Sequence, residues 1–196
     1  MFYTKQINEM KGAVQSYISA LESLLRMIGE ARAVYNETAL LQYTKEQREN
    51  LNEARGAAID RISAAADDLK EVINKVWTPN ENNYNAQYMT MLEAVPMTLQ
   101  EIEKTAQERF SDNPTMLMAL RAYAERKGYA KGGVFAPDSP LRYASKDIML
   151  SEVDNLVGEL RGVLAWDDEA HAQSLRYAVE HFEDAFATVK PFIKPQ

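Results

Sequence analysis

The sequence predicts an all-α protein: a long N-terminal antiparallel helical hairpin packed with shorter C-terminal helices as a bundle. Three observations predict it. Apolar residues recur at seven-residue intervals through the N-terminal part of the chain. A second run of the same period follows a helix-start signal. Proline, which breaks a helix interior, is absent until Pro79, after both runs have ended.

The first run is Ile7, Val14, Leu21, Ile28 and Tyr35, with Met10, Tyr17, Leu24 and Ala31 at the intervening spacing. Ile18 and Leu25 widen the stripe, which suits a multi-helix bundle better than a bare two-stranded coiled-coil seam. The predicted helix covers 5–41 and is roughly 55 Å long. Thr44-Lys45-Glu46-Gln47 reads as a capping box that starts a second helix over 45–77. Its apolar columns are Leu51, Ala58, Ala65 and Val72, then Ile62, Leu69 and Val76, with Ile59 and Ile73 beside them. Thr78-Pro79 ends it, because a residue before proline avoids the α region. Residues 1–78 are therefore predicted to be an αα-hairpin with a very short turn.

Residues 79–196 are predicted to be a helical region packing on that hairpin, in one domain or two. A polar connector, 80–85, precedes a helix over 86–110 that Pro96 must kink or split in two. Asn113-Pro114 supplies an N-cap and a proline at the first helical position, and Gly128 suits the residue just past the helix end. Leu117, Leu120 and Tyr123 should face inward. Residues 128–146, with Gly132-Gly133, Pro137 and Pro140, form the longest irregular stretch. Helical spacing returns at Met149, Val153, Leu156, Leu160 and Leu164. A last helix capped by Asp167 or Asp168 should turn Leu175, Val179, Phe182 and Phe186 inward and end at Pro191.

The C-terminal pair is shorter than the hairpin and covers about 30 Å of a length near 50 Å. Ile, Val and Leu side chains of the uncovered heptads each forgo about 1.5–3 kcal/mol in water. The middle segment, 86–127, is one cover. The other is a second copy of the chain or a different protein; a second copy, meeting it through Ile7, Val14, Leu21 and Ile28, is expected here, making the protein a homo-oligomer.

Composition narrows the function classes. The 196 residues are 46% hydrophobic and 26% charged, the mix of a folded globular chain. Without cysteine there is no disulfide, thiolate nucleophile or zinc–thiolate site. No signal peptide or membrane span is read, and the expected location is the cytoplasm. The net charge of −7 disfavours generic nucleic-acid binding. The charge is uneven: net −5 over 1–103, +4 over 104–146 and −6 over 147–196. A basic middle beside an acidic end suits either internal packing or a polarised surface for a charged partner.

No catalytic, metal or cofactor motif is read. His171 and His181, ten apart, sit about 80° off a shared helical face. Asp168 and His171 share a face, but a bundle di-metal site needs the motif twice, and a cap beside a surface histidine explains them. Asp167-Asp168-Glu169 reads as negative charge at a helix start rather than a cation site. Gly132-Gly133 lacks the spacing of a phosphate loop.

The segment 121–146 carries the sharper expectation. Arg121, Arg126, Lys127, Lys131, Arg142 and Lys146 interleave with Tyr123, Tyr129, Phe135 and Tyr143. Cations among aromatic platforms suit a protein partner or single-stranded nucleic acid, and equally a loop folded onto its own core. The residues taken as partner-binding are Arg121, Arg126, Lys127, Tyr129, Lys131, Phe135, Arg142 and Tyr143. Five methionines (Met89, Met91, Met97, Met116 and Met118) suit either an adaptable groove or core filling around a kinked helix.

The run Asn113-Pro114-Thr115-Met116-Leu117-Met118-Ala119-Leu120, with the long hairpin and acidic balance, resembles uncharacterised small helical proteins of tailed bacteriophages of Gram-positive hosts. The resemblance carries over no functional residue. It implies a role in assembly or in blocking a host protein, in the host cytoplasm. The function expected is a non-enzymatic, self-associating protein-interaction protein without cofactors. The alternative is a helical nucleic-acid-binding protein that uses 121–146.

Overall fold

A computed structural model describes residues 4–130, 135–136, 139–165 and 177. Among them are six α-helices, one 3-10 turn and no strand, so the chain is all-α: α1 (Thr4–Ala31), α2 (Glu37–Val76), the 3-10 turn (Glu81–Asn83), α3 (Ala86–Ala94), α4 (Leu99–Arg109), α5 (Pro114–Arg126) and α6 (Lys146–Leu164). The helix expected beyond Asp167 lies outside the described residues, as do His171, His181, Lys131 and Gly132-Gly133.

The hairpin turn falls nearer the N-terminus than its sequence signals suggest. α1 stops at Ala31, and α2 runs unbroken through Thr44. Asn36 is the reason. Its Oδ1 accepts the Ala39 N–H at 3.0 Å and its carbonyl accepts the Leu40 N–H at 2.9 Å, so it caps α2, with Glu37 at the positive end of the helix. At the end of α1, the Val34 and Tyr35 N–H groups both return to the Ala31 carbonyl. Thr44-x-x-Gln47 has the composition of a capping box but sits in mid-helix. The Gln42 amide donates to Glu46 at 2.8 Å across the position expected to turn. Lys, Glu and Gln are good helix formers, and a cap works only where the preceding backbone has already left the helix.

The chain divides into two compact units. Among the described residues one holds 4–69 with 153–165 and the other 70–152. In the first, α1 buries Met10, Val14, Tyr17, Leu21 and Leu24, α2 buries Leu51, Ala58, Ile62, Ala65 and Leu69, and α6 buries Val153, Leu156, Leu160 and Leu164. Arg55 ties the three helices. Its Nε donates to the Leu164 carbonyl at 2.8 Å, where α6 ends, and its Nη2 to the Tyr17 hydroxyl at 3.1 Å. A cation at a helix C-terminus also meets the negative end of the helix dipole. Arg161 donates to Ser63 at 2.9 Å farther along the same pair.

The second unit forms around α5, whose Met116, Leu117, Leu120 and Tyr123 are buried together with Leu92, Ile102 and Leu141. Pro96 splits the expected helix into α3 and α4. α4 restarts on a capping box in which the Thr98 and Glu101 side chains each satisfy the other's backbone N–H. The Asn113 side chain accepts the Met116 N–H at 3.0 Å, and Pro114 opens α5. Gly128 has φ +75°, and the Tyr129 and Gly128 N–H groups return to Ala124 and Glu125 in a Schellman closure.

Candidate functional site

In the second unit, the basic and aromatic residues of 121–146 are turned largely onto their own fold. Arg121 leaves α5 with its side chain only 13% exposed. Its Nη1 donates to the carbonyls of Leu141 at 2.9 Å and Arg142 at 2.7 Å, and its Nη2 pairs with Glu125 at 2.9 Å. The guanidinium lies 5.1 Å from the centre of the Phe135 ring. It is thus a clasp that holds the following loop against α5. A fork of five N–H donors suits that task better than a point charge.

Phe135 and Tyr143 are buried. The Tyr123 hydroxyl donates to the Leu92 carbonyl, and the Tyr129 hydroxyl donates to the Met97 carbonyl, each at 2.7 Å. Arg126 and Lys127 both reach Glu93, at 2.9 and 3.2 Å, and hold its carboxyl below the usual range, the Arg126 hydrogen bond contributing most. Of the residues expected to bind a partner, Arg121, Phe135 and Tyr143 are therefore structural. Arg126 and Lys127 keep exposed charge, Arg142 and Tyr129 are half-buried, with Tyr129 tied to Met97, and Lys131 lies outside the described residues. Stacking on bases needs open ring faces. Here three of the four rings, Tyr123, Phe135 and Tyr143, are buried, so they form no row of aromatic platforms.

The methionines follow the same course. Met89 and Met116 are core, and the Met116 sulfur accepts the Asn85 N–H at 3.1 Å. Met91 remains outside beside Val95. An open groove near the 3-10 turn is lined by Asn82, Asn83, Asn85 and Asn113, but Asn85 and Asn113 are already engaged as helix caps.

In the first unit, the residues expected to form an oligomer seam divide. Val14 and Leu21 are buried within the chain itself. Ile7 and Ile28 are half-buried. The reason is that α2 and α6 cover α1 along its middle. Large apolar side chains are exposed at the hairpin tip. Leu41 is 67% exposed, Val34 77% and Tyr35 45%. Beside them lies a groove of about 740 Å³ between the end of α1 and the start of α2. Leu24, Leu25, Ile28, Leu40 and Leu41 line it, and Arg32, Lys45, Arg48, Glu37 and Glu49 contribute charge of both signs. Tyr35 and Tyr43 pack at 5.4 Å between centroids and brace the turn. Sequence reasoning missed this site because it carried α1 through the turn. The Asn36-Glu37 pair was the available signal.

Among the described residues no group of three His, Cys, Asp or Glu is placed to hold a metal ion, and no helix is long and apolar enough to cross a membrane. No known family matches the sequence, and no curated protein or solved structure shows significant similarity to it.

Proposed function

We propose that this chain is a non-enzymatic helical interaction protein that self-associates, and that it does so through the hairpin tip. The observation that carries the reading is the joint exposure of Leu41, Val34 and Tyr35 beside a leucine-lined groove. Isolated exposed leucines are ordinary on protein surfaces, whereas an apolar groove rimmed by charge is the usual form of a docking site. The resemblance to phage proteins gives the reading a setting: assembly, or inhibition of a host protein, in the host cytoplasm. The nucleic-acid alternative draws no support from 121–146, because its rings and its most central arginine are engaged internally.

Sedimentation velocity tests the proposal. The wild-type chain should pass from monomer to a larger species with rising concentration. Leu41→Glu should stay monomeric with its unfolding midpoint little changed, since surface changes usually fall within about 0.5 kcal/mol. A wild-type chain that stays at 22.2 kDa at every concentration contradicts it.

A further inference from the structure

We infer that the occupant of the tip is the same tip in a second copy. The first turns of the two α2 helices lie antiparallel, across a two-fold axis that passes beside Leu41. This rests on the self-association reading and specifies its geometry.

The argument is one of charge and register. Leu41 sits between Glu37, four residues before it, and Lys45, four residues after it, so all three share one face of α2. On α1, Lys5 pairs with Glu9 and Arg26 with Glu30 within the chain, whereas Lys45 and Glu49, also four apart and exposed, do not pair. Glu37 and Lys45 are eight apart, about 12 Å along the axis, too far to reach each other. Among the described residues neither is ion-paired.

A two-fold axis beside Leu41 exchanges the two positions. It sets Glu37 opposite the partner's Lys45 and Lys45 opposite the partner's Glu37, with leucine against leucine between them. The same axis pairs Thr38 with the partner's Thr44, short side chains that let two helices approach. A parallel pairing in the same register would place like charge on like charge. An isologous contact of this kind closes on itself, so the product is a dimer and not a filament.

The test is a charge exchange. Glu37→Lys puts two Lys–Lys contacts into the dimer and Lys45→Glu puts in two Glu–Glu contacts. Each alone should weaken self-association on the order of tenfold at low ionic strength. An equimolar mixture of the two variants should regain wild-type affinity, because every cross-chain contact in the mixed dimer is again lysine against glutamate. The chain has no cysteine, so Leu41→Cys should oxidise to one covalent dimer, whereas a control Gln107→Cys should not.

Self-association that ignores both exchanges, or is weakened by them without rescue in the mixture, overturns the antiparallel pairing and leaves self-association standing. A chain that is monomeric throughout overturns both. In that case a freely reactive Leu41→Cys thiol assigns the tip to a different protein, and a protected one assigns it to another segment of the same chain.

Discussion

Arg121 and Leu141 are joined by a 2.9 Å hydrogen bond from the guanidinium Nη1 to the backbone carbonyl, and the same nitrogen serves Arg142 at 2.7 Å. The link turns the most prominent cation of a basic segment into part of the core. Its loss should be felt as stability and not as lost binding. Arg121→Ala leaves two carbonyls without their charged donor and should cost about 1.5–3 kcal/mol in urea unfolding. Arg121→Lys, which cannot form the fork, should recover only part of that. The exposed pair Arg126→Ala and Lys127→Ala together should cost no more than about 1 kcal/mol. Equal costs for the two sets would contradict the clasp.

The position of the hairpin turn separates two nearby residues of similar capping chemistry. Asn36→Ala removes the acceptor for the Ala39 N–H and should cost about 1 kcal/mol. Thr44→Ala, in mid-helix, should be neutral or slightly stabilising, since alanine has the higher helix propensity. Thermal unfolding of the two single variants checks this.

The pairing of Glu93 with Arg126 and Lys127 makes part of the stability depend on pH. The carboxyl is held below its ordinary value of 4.5, so its contribution is complete above that value and is lost as pH falls through the lower folded-state value. Glu101 behaves in the same direction, because the Thr98 backbone N–H and hydroxyl both donate to it. A carboxyl titration by NMR should give midpoints below 4.5 for both residues, and Glu93→Gln should flatten the acid limb of the melting curve. A midpoint for Glu93 at or above 4.5 would show that the pairing does not persist in solution.

The fold class was legible because helical period and proline position are local signals. Met10, Tyr17, Leu24 and Ala31 are buried as their spacing requires, Pro96 does split its helix, and Asn113, Pro114 and Gly128 mark the ends of α5. The hairpin turn was not legible, because Thr44-x-x-Gln47 and Asn36-Glu37 are both plausible caps and only tertiary packing decides between them. The burial of single residues was not legible for a related reason. Arg121 in a basic stretch looks the same in sequence whether its donors face water or a neighbouring backbone carbonyl. Val14 and Leu21 likewise carry the same heptad signal whether the covering helix belongs to this chain or to another.

Amide hydrogen exchange measured over a dilution series tests most directly whether the tip, and not the seam of α1, meets a second molecule. Residues 37–48 should be protected at high concentration and exchange faster on dilution, while the amides around Val14 and Leu21 stay equally protected throughout. Concentration-dependent protection centred on Val14 and Leu21, with none at 37–48, would contradict the account.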